Sequence, residues 1–159
     1  MSEVLVLGLG NELFSDEGVG VVAARRLEAY GLAGVEIVDG GTLGLSLLPL
    51  VEGRRALLVL DAMLAEDRAP GEIIVYSGED LHRESRLLYS AHQLGVTEML
   101  AAADLVGSTP ERVGAVGMVP ASVETGYGLS AVAEAALPAM VDAAREVLAG
   151  WGVKEWAHA

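Results

Sequence analysis

Three apolar, strand-like runs in this chain each lead to acid. Val4–Leu7 leads to a loop with Asp16 and Glu17, Val35–Val38 to Asp39, and Ala56–Leu60 to Asp61. Asp61 follows its apolar run directly, where an ionised carboxylate is costly unless paired, hydrogen-bonded or metal-bound. His92 adds an imidazole at the start of a helical pattern, and neutral imidazole is the commonest nitrogen ligand for borderline metals. Two carboxylates with one imidazole make an open site for a transition metal. Each residue also has a plainer reading. Asp61 can cap a neighbouring loop, and a lone histidine is more often structural. The number of acids gathered by the same rule favours function.

Other chemistries fit less well. Among the remaining histidines, His82 lies in a charged stretch and His158 in the tail. There is no H-E-x-x-H, no G-x-S-x-G elbow and no P-loop. The first glycine turn, Gly8-Leu9-Gly10-Asn11-Glu12-Leu13, lacks the third glycine of a dinucleotide fingerprint. Its acidic loop would repel a phosphate. Asp39 does resemble a ribose-binding acid, so dinucleotide binding stays as a minor alternative.

The elements that must position these groups alternate. Strand, glycine turn and polar loop lead into a helix from about Glu17 to Tyr30. A second strand ends at Asp39-Gly40-Gly41-Thr42, and a short helix with Pro49 follows. The third strand ends at Asp61. Glu72–Tyr76 follows with little room for a crossover helix, which predicts an antiparallel edge strand. Ser77–Ser90 reads as a surface loop with some helix. Ser90-Ala91-His92-Gln93 opens a helix with Ser90 as N-cap, Val113–Val119 forms a glycine-containing strand, and Leu129-Ser130 opens a last helix to about Ala149 despite Pro138. The pattern predicts an α/β fold: a mostly parallel, roughly five-stranded sheet with helices on both faces. In such a sheet the acids converge on one edge.

A length of 159 residues predicts one domain, 1–159, and 52% apolar residues exclude a disordered class. A net charge of −13 argues against nucleic acid or anionic lipid as the main partner. No apolar run reaches the roughly 20 residues of a membrane span, and no secretory signal is visible. The absence of cysteine removes disulfides, thiolate zinc sites and thiol nucleophiles. A cytoplasmic location is the default expectation. Trp151 and Trp156 read as tail packing.

The motifs in order resemble one family. Gly10-Asn11-Glu12-Leu13-Phe14-Ser15-Asp16-Glu17-Gly18-Val19-Gly20 is similar to the G-N-x-L-x-x-D-E-x-x-G signature of the hydrogenase maturation endopeptidases. Asp39-Gly40-Gly41-Thr42, Asp61-Ala62, Ser90-Ala91-His92-Gln93, Gly117-Met118-Val119-Pro120 and Gly128-Leu129-Ser130 resemble its later blocks. The resemblance covers nearly the whole chain. It implies a three-layer α/β/α sandwich. It also implies an endopeptidase that removes a C-terminal extension from the precursor of the nickel–iron hydrogenase large subunit after nickel insertion. The metal-contacting positions it implies are Glu17, Asp61 and His92. The expected nickel is the substrate's own, with no organic cofactor. Asp39 or Asp16 is the expected base, and a monomer the expected state. Two departures, Ala121 where the family often has an acid and Ala91 where proline is common, concern loop shape; Glu124 lies nearby. A non-cleaving protein that loads or checks nickel on the same ligand set is the alternative.

Overall fold

A computed structural model of the chain describes the backbone of residues 2–77 and 91–156, with the side chains of all of these except 91–97. The expected Ser90 cap and most of the loop Ser77–Ser90 lie outside the described residues.

Among the described residues five strands form one sheet: β1 (Val4–Leu9), β2 (Val35–Gly41), β3 (Ala56–Ala62), β4 (Ile73–Ser77) and β5 (Arg112–Met118), in the order β2-β1-β3-β5-β4. All pairings are parallel except β4 with β5, which is antiparallel. The short link between β3 and β4 leaves no crossover, so β4 returns as the antiparallel edge.

β1 and β3 are buried along their whole length. Their side chains alternate between two cores, as a pleated strand dictates. Val4, Val6, Leu58 and Leu60 face one core, completed by α1 (Val19–Leu27) and α4 (Ala131–Gly150). Leu5, Leu7, Leu57 and Val59 face the other, with Leu47, Val51 of α2 (Leu48–Val51) and Met99 of α3 (Ala91–Leu105). Helices thus cover both faces, giving the expected three layers. α4 begins one residue after Ser130, whose hydroxyl caps the Ala133 amide at 3.2 Å, and it runs on through Pro138.

Trp151 is half-buried against the first core, its indole lying over Gly114. Trp156 lies against Gly31 but is 68% exposed, so only the first tryptophan is true packing.

Candidate functional site

The helix after β1 starts late. A 3₁₀ turn, Ser15–Gly18, precedes α1, so Asp16 and Glu17 sit on a tight turn rather than inside the helix. Two glycines hold this turn down on the sheet. A Cβ at Gly20 would collide with the carbonyl oxygens of Leu9 and Leu60, so α1 enters against the ends of β1 and β3. A Cβ at Gly10, whose φ is +131°, would collide with the Glu17 carbonyl oxygen. Glycine at both positions lets the Glu17 backbone approach the end of β1, one strand from Asp61.

Asp61 is 1% exposed at the carboxyl end of β3, and its Oδ1 accepts a hydrogen bond from the Ala62 amide at 2.8 Å. The link from β1 runs to β2 on one side, while β3 lies on the other. Glu17 and Asp61 therefore flank the point where strand order reverses, the usual crevice for ligands in an open α/β sheet.

Asp39 stands in register with Gly8, and Gly8 with Leu60. It is two strands from β3, a distance of roughly 10 Å at ordinary strand spacing. Its side chain is exposed, and Oδ1 accepts from the Gly41 amide at 3.0 Å. Asp39 lines a cleft of about 340 Å3 with Asn11, Glu12, Leu13, Thr42 and Tyr127. At one lip Glu12 accepts a hydrogen bond from Arg25 at 2.8 Å. Large apolar side chains rise around this edge: Leu13 and Leu43 are each 61% exposed and Tyr127 78%.

Asp16 has a different setting. It is completely buried. Its Oδ1 accepts from the Ser130 amide at 2.7 Å. Its Oδ2 accepts from the Ser130 hydroxyl at 2.7 Å, the Ala121 amide at 2.9 Å and the Ser122 amide at 3.2 Å. Burial alone would push this carboxyl up. The hydrogen bonds from Ser130, Ala121 and Ser122 together outweigh burial and hold it below its ordinary range.

His92 occupies the second position of α3; its side chain lies outside the described residues. The helix packs against the turn Gly44–Leu47 that follows β2. Its far end connects through residues 106–111 to the start of β5, at the opposite edge. A helix of this length spans roughly 22 Å, which carries its first turn toward the edge that holds Asp39 and Asp61. Among the described residues no three His, Asp or Glu side chains form a metal-binding group. The two carboxylates Glu17 and Asp61 are hard donors that fit a divalent cation and leave positions open on it.

The sequence placed Glu17, Asp39 and Asp61 on this edge, and the structure does too. It missed Ser130 as the partner of Asp16. The signals were its place at the start of the last helix and in the Gly128-Leu129-Ser130 block; its hydroxyl serves both Asp16 and the helix cap.

The hydrogenase maturation protease family model matches residues 21–147 of this chain. This chain belongs to that family. The hydrogenase 2 maturation protease of Escherichia coli K12 is 35% identical over 153 residues, covering 95% of this chain and 93% of its own. The hydrogenase expression/formation protein HupD of Rhodobacter capsulatus is 40% identical over 157 residues, 95% of this chain and 73% of its own. Among solved structures, the hydrogenase maturating endopeptidase HybD from E. coli superposes with a TM-score of 0.89 at 35% identity, covering 96% of this chain and 95% of that one. The [NiFe] hydrogenase maturation protease HybD from Thermococcus kodakarensis gives 0.76 at 28% identity, with 91% and 97% covered. Membership makes the chain a processing protease, and the dinucleotide alternative falls away.

Proposed function

We propose that this enzyme removes the C-terminal extension from the precursor of a nickel–iron hydrogenase large subunit, and that it recognises the nickel the precursor carries. The observation that carries the reading is Asp61, a carboxylate buried at the end of an apolar strand and flanked by the Glu17 turn. Glu17 and Asp61, with His92 from the first turn of α3, supply the donors for the substrate's metal. Contact with it fixes the scissile peptide beside the cleft, a proximity effect. The bound metal also supplies Lewis-acid polarisation of a carbonyl or a water.

Asp39 is the general base in this reading. It is exposed, faces the cleft, and has an oxygen beyond the one that closes its own turn onto Gly41. A gap of roughly 10 Å from β3 leaves room for a peptide group and one water between base and metal. Asp16 is withdrawn from the catalytic role, because both of its oxygens accept from Ala121, Ser122 and Ser130 in a buried place. Residues 1–159 act as one domain around one sheet, as a monomer in the cytoplasm. The acidic surface is unsuited to nucleic acid or an anionic membrane. Among the described residues no helix is long and apolar enough to cross a membrane.

The test is cleavage of the cognate precursor with and without nickel, followed by mass spectrometry. Loss of one C-terminal peptide, only from the nickel-loaded form and abolished in Glu17→Gln and His92→Ala, is the expected result. Equal cutting of nickel-free precursor would end the recognition reading. Metal-dependent binding without any cleavage would favour a checking protein.

A further inference from the structure

The geometry points to Asp16 as a positioning residue: it anchors the loop after β5 to the turn that carries Glu17, and so sets one wall of the substrate's cleft. The inference rests on the function proposed above. β1 and β5 are not neighbours; β3 lies between them. The loops that leave their carboxyl ends nevertheless join, and they do so across the end of β3, where Asp61 sits. Asp16 is the centre of that joint. It collects four donors from Ala121, Ser122 and Ser130. Around it the two loops exchange backbone hydrogen bonds: Ser15 N–H to Gly126 at 2.8 Å, Gly126 N–H to Leu13 at 2.8 Å, and Asp16 N–H to Ser122 at 3.1 Å.

The joint holds its own backbone off the favoured path. Ser15 has φ +54°, the only non-glycine residue with positive φ among those described. Such a conformation persists only where surrounding contacts over-determine it. One residue beyond the Gly126 bridge, Tyr127 lines the cleft beside Asp39. The chain of contact therefore runs from Asp16 through the loop to Tyr127, and along the turn to Glu17.

The socket accepts a carboxylate and rejects its amide. An ionised aspartate offers about four acceptor sites, and all the groups it meets here are donors. Asparagine would turn an NH2 group toward a backbone N–H in either orientation. Completely buried, the carboxylate is also shielded from a substrate proton.

The test compares Asp16→Asn, Ser130→Ala and Ser130→Thr on nickel-loaded precursor, with kcat and KM expressed per folded molecule. Asp16→Asn is expected to raise KM by about 10- to 100-fold with a smaller effect on kcat. Ser130→Ala should raise KM less, and Ser130→Thr, which keeps the hydroxyl, should restore it. Unchanged KM in folded Asp16→Asn and Ser130→Ala overturns the inference. So does a fall in kcat at constant KM, which would place Asp16 in the chemistry. If Asp16→Asn does not fold, the contrast between the two Ser130 variants decides. If the wild-type enzyme leaves the precursor whole, the proposed function fails. Hydrogen exchange then decides the anchor: the Ala121 and Ser122 amides should be protected in wild type and exchange faster in Ser130→Ala, and equal rates overturn it.

Discussion

Gly20 rests against the carbonyl oxygen of Leu60, the residue that precedes Asp61. This contact fixes how close α1 comes to the end of β3, and hence how far the Glu17 turn stands from the Asp61 carboxylate. Gly20→Ala forces a methyl into two backbone oxygens, neither of which can swing aside. A loss of about 1–3 kcal/mol is expected, measured by urea denaturation. Cleavage should fall beyond what the lost stability explains. A variant as stable and active as wild type would show that the helix slides freely along the sheet.

Asp61→Asn should separate stability from activity. Asparagine keeps an oxygen for the Ala62 amide, so the fold should change by no more than about 1 kcal/mol. With Asp61 as a metal contact, as proposed, loss of the buried negative charge should lower cleavage of nickel-loaded precursor by at least about 100-fold, because such contact is worth several kcal/mol. Circular dichroism melting and single-turnover cleavage give the two readings. Retained cleavage would remove Asp61 from the proposed metal contacts.

Asp39→Asn is expected to act on kcat. The side chain is exposed and the amide can still close the turn onto Gly41. Stability should therefore be nearly unchanged, while removing the proposed general base should cost about 10²- to 10⁴-fold in kcat. An effect confined to KM would make Asp39 a binding group.

Trp151→Ala should do the opposite. Its indole covers Gly114, near the amino end of β5 and far from the acids. A loss of about 2 kcal/mol or more is expected from the vacated, half-buried volume. kcat and KM per folded molecule should stay at wild-type values. A specific kinetic defect would mean that the two ends of the sheet are coupled.

The edge was legible because strand periodicity and parallel topology are local rules. Apolar runs ending at Asp39 and Asp61 needed no knowledge of distant residues, and the short link before Glu72 was enough to predict the antiparallel edge. The role of Asp16 was not legible. Its donors stand 105 to 114 positions away along the chain, in a loop whose course depends on β3 lying between β1 and β5. Periodicity says nothing of such a joint. In sequence Asp16 and Glu17 are two acids side by side, and only burial tells them apart.

That adjacency ties two tasks to one reading frame. In a 3₁₀ turn successive side chains diverge by about 120°, so buried Asp16 points into the socket and half-buried Glu17 points away from it. Insert a single residue between Asn11 and Asp16, and Asp16 moves to the place of Glu17 while Ser15 takes the socket; delete one, and Glu17 falls into the socket instead. The segment Asn11–Glu17 thus works as a gauge of fixed length, and a slip of one residue there would undo the joint and displace Glu17 from its turn.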